Sequence, residues 1–189
     1  MSDSVTSEPT STASADAVAE EHTFTAEVWA DNWFALYVNG ELVGEDSVPI
    51  TTERSFNKET ITFTASYPLT IAIEAKDFKE TDSGLEYIGQ ANQQMGDGGL
   101  IAQITDDAGS VIAVTNSSWS SFVTQRAPLD TSCENSSNPD VECTFTATAA
   151  DADWFSDGYD ASAWDLATEY TAAEVSPKDG YNEVAWVAS

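Results

Sequence analysis

Apolar and polar residues alternate at every second position in this chain, broken at short intervals by turn residues, and that pattern most narrows what it can fold into. Phe24, Ala26 and Val28 alternate with Thr23, Thr25 and Glu27; in the next run Phe34, Leu36 and Val38 oppose Trp33, Ala35 and Tyr37. A strand turns successive side chains to opposite faces, so each run offers one face to a core. Ile61–Ala65 and Leu69–Ala75 repeat the pattern on either side of Ser66-Tyr67-Pro68. Asn39-Gly40 and Asp106-Asp-Ala-Gly109 sit between such runs as hairpin turns, the second flanked by Leu100–Ile104 and Val111–Val114. Ser121–Thr124 and Val141–Ala147 read as two more strands. The nearest candidates for helix are Asp160–Glu169 and a short turn at Ser176-Pro177, both marginal in length. The pattern predicts an all-β chain, an antiparallel β-sandwich or jelly roll with long loops and little helix.

The chain has 189 residues, 41% of them hydrophobic, enough for one sandwich-sized domain. Residues 1–21 are a Ser/Thr/Ala/Glu-rich leader that cannot bury enough apolar area to offset its ordering entropy. It reads as the tether of a mature exported protein or lipoprotein, which predicts an extracellular or cell-surface location. Residues 22–189 form the predicted β-sandwich domain, with a C-terminal lobe from about residue 145 as an alternative division. Val184–Ala188 reads as a last strand with no closing turn, either truncated or completed by a partner chain. Thr-Phe-Thr-Ala recurs at 23–26, 62–65 and 144–147, and Ala30–Phe34 echoes Ala152–Phe155, a weak hint of duplication.

Asp and Glu number 33 against 6 Lys and Arg, a net charge of −27. Nucleic acid is excluded as a partner, because phosphate binding needs a clustered cationic footprint. The acidity suits solvation in a salty or extracellular setting, attraction of divalent cations, or mutual repulsion of copies. No apolar run is long enough to span a membrane as a helix.

Cys133 and Cys143 enclose Glu-Asn-Ser-Ser-Asn-Pro-Asp-Val-Glu, whose turn residues can bring the two thiols together. A disulfide is expected. Too few His and Cys are present to complete a zinc set.

The single histidine, His22, stands at the junction of leader and first strand and reads as a solvated linker residue. It cannot support a Ser-His-Asp triad or a multi-His metal site, so the chain is expected not to be an enzyme. A carboxylate-only hydrolase is the residual catalytic option. The long polar loop after Ala75 offers hard oxygen ligands at Asp77, Asp82, Glu86 and Asp97, and glycines that free loop carbonyls, a donor set that suits Ca²⁺. Aromatics make up 11% of the chain, six of them Trp. A carbohydrate site pairs an aromatic platform with polar hydrogen bonders, and Trp33, Asp31, Asn32, Trp119, Gln125 and Arg126 are the candidates. Arg126 also suits a structural ion pair.

Two segments carry a family resemblance. Ala30–Gly44 is similar to the strand-turn-strand with an Asn-Gly turn of galactose-binding-domain-like β-sandwiches. Trp154-Phe-Ser-Asp-Gly-Tyr-Asp-Ala-Ser-Ala-Trp164, followed by Asp165-Leu-Ala167, resembles their Trp-rich segment, with Ala161 in place of its second Asp. The Trp-rich segment precedes the hairpin in that superfamily and follows it here. The resemblance implies a jelly-roll fold and a sugar-binding accessory role of the kind found beside glycoside hydrolases. The expected function is therefore a non-catalytic exported binding module, for carbohydrate or another extracellular polymer, with a structural calcium. The alternative is a self-assembling structural or adhesive subunit of an extracellular matrix, sheath or filament.

Overall fold

Phe24, Ala26, Val28 and Ala30 take alternate places along β1 (Glu21–Asp31), and all four are buried. The computed structural model describes residues 19–51, 57–96 and 98–175. After β1 come β2 (Trp33–Val38), β3 (Glu41–Glu45), β4 (Glu59–Ser66) and β5 (Ile71–Lys76). The two-residue β6 (Leu85–Glu86) and β7 (Gln94–Met95) precede β8 (Gly99–Asp106) and β9 (Val111–Val114). Four more short strands follow, β10 (Ser120–Ser121), β11 (Gln125–Arg126), β12 (Thr146–Ala147) and β13 (Asp165–Leu166). Among the described residues helix is confined to a 3-10 turn at Thr131–Asn135, α1 (Pro139–Glu142) and α2 (Ala172–Val175). With 40% strand and 7% helix the fold is all-β, as the alternation predicts.

One antiparallel sheet has the order β4-β1-β8-β9 and the other β3-β2-β5. Their inner faces share one core. Phe24 opposes Phe63, and Ala26 lies between Ile61 and Ile104 on the first sheet. Phe34, Leu36 and Val38 come from the second. Burying Phe24, Phe34 and Leu36 contributes roughly 1.5–3 kcal/mol each. Gly44 on β3 lets the sheets approach, since a Cβ there would stand 2.6 Å from the Ile61 side chain.

Only Asn32 separates β1 from β2, so the chain steps from one sheet to the other at one residue. Asn32 is 1% exposed; its amide donates to the Lys76 carbonyl at 2.9 Å and its Oδ1 accepts from the Phe78 amide. At the far end of β2, Asn39 (φ 51°) and Gly40 (φ 83°) form the predicted turn, with both central residues left-handed. Asn39 Nδ2 donates to the Ser66 carbonyl at 2.9 Å, and its Oδ1 accepts from the Thr70 amide at 2.8 Å. Each end of β2 is thus tied by an asparagine to chain flanking β5.

The outer face of β2 answers to different neighbours. The Lys76 ammonium lies 4.6 Å from the centre of the Trp33 ring. Tyr37 stacks on Phe155 at 4.4 Å and meets Trp154 edge-on at 5.6 Å. Trp164 continues the cluster, 6.4 Å from Trp154, 5.5 Å from Tyr159 and 5.4 Å from Phe122. The Trp-rich segment therefore packs the outside of the β2 hairpin.

Four local expectations are corrected. Val141–Ala147 is not one strand, because Pro139 opens the helical turn α1 and Cys143 is held by a disulfide, leaving only Thr146 and Ala147 in strand. Of Ser121–Thr124 only Ser121 lies in a strand, opposite Asp165. Asp160–Glu169 forms turns and β13 in place of helix, since Trp164 is drawn into the aromatic cluster. His22 is not a linker residue; it lies in β1 opposite Ala65, its ring 5.3 Å from that of Tyr67. Most of the leader, Ser176-Pro177 and Val184–Ala188 lie outside the described residues. Among the described residues no helix is long and apolar enough to cross a membrane.

Candidate ligand groove beside the disulfide

Gly84 has φ +74°, a conformation L side chains rarely adopt, and a Cβ there would overlap the carbonyl group of Ala127. Glycine is required on both counts. It lets the turn at Asp82–Leu85 lie against the chain that leaves β11. On the other side, Cys133 and Cys143 form the expected disulfide, with Cα atoms 5.3 Å apart. Both half-cystines are buried in a small second core with Leu85, against which Ile88 packs. The bond closes the 3-10 turn and α1 into a compact loop, whose entry is capped by Asp130 accepting from the Ser132 amide. Leu129 N–H donates to the Thr144 carbonyl, and Thr148 N–H to that of Thr124, which extends the β11–β12 ladder and holds Phe145 in place.

Between these parts lies a groove of about 280 Å³, lined by Asp82, Ser83, Asp140, Val141, Cys143, Thr144 and Phe145. Phe145 and Val141 are 44% and 70% exposed, so apolar surface is open to a ligand. Asp82 accepts from Lys79 Nζ at 2.6 Å and from Gln125 Nε2 at 3.2 Å. The Lys79 ammonium holds the Asp82 carboxyl below the usual carboxylate range, so it is an anion at neutral pH. Lys79 also donates to Gln125 Oε1 at 2.7 Å. Ser83 is buried, its hydroxyl 2.8 Å from that of Thr81. Exposed apolar side chains beside two carboxylates and the Thr144 hydroxyl can hold one small polar ring with an apolar side.

The candidate residues from sequence fall in separate places. Gln125 reaches the groove edge through Asp82 and Lys79. Arg126, next in the ladder, is exposed and makes no ion pair among the described residues. Trp33, Asp31 and Asn32 sit at the β1–β2 step, where Asn32 is buried in the hydrogen bonds described above and Trp33 lies under Lys76. Trp119 is half-buried, and its Nε1 donates to the Val114 carbonyl at 2.9 Å.

Of the candidate calcium ligands, Asp82 is in the groove, ion-paired to Lys79. Glu86 is 5% exposed and accepts from Gln94 Nε2 at 2.9 Å. Asp77 packs against Gly96 and Gly98, where a Cβ on either would collide with it. Asp97 lies outside the described residues. Among the described residues no three His, Cys, Asp or Glu side chains group as a metal site.

Asp140, Val141, Thr144 and Phe145 were not among the sequence candidates. The signal that pointed near them was the cysteine pair, since a short disulfide loop fixes whatever side chains it carries. Comparison of the chain with protein-family models, curated proteins and solved structures finds no match.

Proposed function

We propose that this protein is a non-catalytic, exported or cell-surface binding module that takes carbohydrate in the groove beside the Cys133–Cys143 disulfide. The supporting observation is the lining itself, where exposed Phe145 and Val141 stand beside Asp82, Asp140, Ser83 and Thr144. A sugar ring has an apolar C–H face and a hydroxylated edge, and those two kinds of surface meet here. The resemblance of Ala30–Gly44 and Trp154–Ala167 to galactose-binding-like sandwiches points the same way. The proposal keeps an accessory Ca²⁺ on the oxygen chemistry of Asp77, Asp82, Glu86 and Asp97 in the sequence alone, since Asp82 is paired to Lys79 and Glu86 bonded to Gln94. The test is a glycan array read with and without millimolar Ca²⁺, followed by calorimetry on wild type and Phe145→Ala. Loss of most affinity in the variant is expected; an array with no bound glycan under either condition removes the carbohydrate assignment.

A second reading, a self-assembling structural subunit, is favoured by one feature. β9 lies at the edge of its sheet, with Val111 and Val114 46% and 38% exposed. An open edge can pair with a strand of another chain. A charge of −27 opposes such contact between copies unless salt screens it. Sedimentation in high salt separates the readings, since a protein that stays monomeric there is not an assembling subunit.

A further inference from the structure

We propose that the groove selects sugars carrying a free amine over neutral or anionic ones, an inference that rests on the carbohydrate reading above. Among the described residues two ionisable side chains line the groove, Asp82 and Asp140, and no cationic side chain does. Asp82 is already matched, its charge offset by Lys79 at 2.6 Å. Asp140 is exposed and forms no ion pair among the described residues. It stands on α1 one residue before Val141, so the free carboxylate and the apolar surface belong to one rigid turn anchored through Cys143.

A hexosamine unit is complementary to that arrangement. Its C–H face covers Phe145 or Val141, its hydroxyls meet Thr144, and its protonated amine takes the Asp140 carboxylate. A uronate or sulfated sugar would bring another anion beside the Asp140 carboxylate, on a protein of net charge −27. N-acetylation removes the charge and leaves the ring, so the acetylated sugar isolates the contribution of the amine.

Net charge alone would draw any polycation to the surface, and the experiment must separate that from recognition in the groove. Calorimetry compares chitosan oligomers, matched N-acetylated chitin oligomers and oligogalacturonate on wild type, Asp140→Asn and Glu142→Gln. Both variants change the net charge equally. Glu142 lies on the same turn and is not a groove-lining residue.

Wild type is expected to bind chitosan at least about fivefold more tightly than chitin, in line with a partly exposed charged hydrogen bond. Asp140→Asn should bring that ratio close to one, and Glu142→Gln should keep it. A ratio near one in wild type, tighter binding of oligogalacturonate, or an equal drop in the ratio in both variants overturns the amine selectivity while leaving a carbohydrate module. No binding of any oligomer, together with an empty glycan array, overturns the carbohydrate reading itself.

Discussion

Gly84 lies so close to Ala127 that even the Ala127 Cβ would be 2.8 Å from a Cβ placed on Gly84. Residues far apart in sequence are thereby brought together as one side of the groove. Gly84→Ala meets both a left-handed backbone and a collision with chain, and is expected to cost at least about 2 kcal/mol. Gly89 has φ +78° with open space around it, so Gly89→Ala should cost only the backbone term, about 1 kcal/mol. Urea denaturation of the pair checks this, and equal losses would show that the approach to Ala127 carries no weight.

The disulfide closes a loop between residues 133 and 143. Its removal in Cys133→Ser/Cys143→Ser should lower stability by up to about 3 kcal/mol on the loop-entropy account. The sandwich core does not include either cysteine. Far-ultraviolet circular dichroism should therefore stay strand-like while groove ligands lose affinity. Full retention of binding in the double variant would mean that the bond does not position α1.

Asn39 has two tasks, a left-handed turn conformation and two side-chain hydrogen bonds to the β4–β5 connection. Asn39→Gly keeps the first and loses the second, and should cost about 1–2 kcal/mol. Asn39→Ala loses both and should cost more, by about 1 kcal/mol. Chemical denaturation orders the three proteins, and a glycine variant as stable as wild type would show the bonds to Ser66 and Thr70 to be idle.

Asp46 is 5% exposed, and its buried Oδ2 has no hydrogen-bond partner among the described residues. Burial pushes its carboxyl above the usual range; the Val48 amide, at 2.8 Å from Oδ1, works against this, and the charge of Glu59 adds to it. A raised native value favours the protonated form in the folded state. The stability linked to this group is therefore fully present below its unfolded value, about pH 3.9, and is lost as pH rises through the raised native value. Asp46→Asn should match wild type at acid pH and melt higher at neutral pH, by on the order of 2–4 °C. A difference in Tm independent of pH would remove titration of Asp46 as the cause.

Much of the sandwich was legible because its signals are local. Phe24, Ala26 and Val28 on β1, and Phe34, Leu36 and Val38 on β2, are buried as their alternation requires. Asn39-Gly40 turns where two adjacent left-handed residues demand it, and Cys133 and Cys143 pair across a loop rich in turn residues. Val141–Ala147 shows where alternation misleads. Its period fits a strand, yet Pro139 and the covalent tie at Cys143 set its backbone first. The groove was not legible. Asp82, Asp140 and Phe145 meet only because Gly84 fits under Ala127 and the disulfide folds α1 back.

By itself, then, the sequence determined which faces are buried, where the main hairpins turn and how acidic the surface is, since these depend on side-chain period, backbone sterics and composition. The tertiary structure alone decided what covers each outward-facing ring. Trp33 lies under Lys76 and Tyr37 against Phe155 because β5 and the Trp-rich segment return to β2 from far along the chain. Period-two alternation states that a residue faces outward from its sheet; what it then meets is set by long-range packing, which no local pattern encodes.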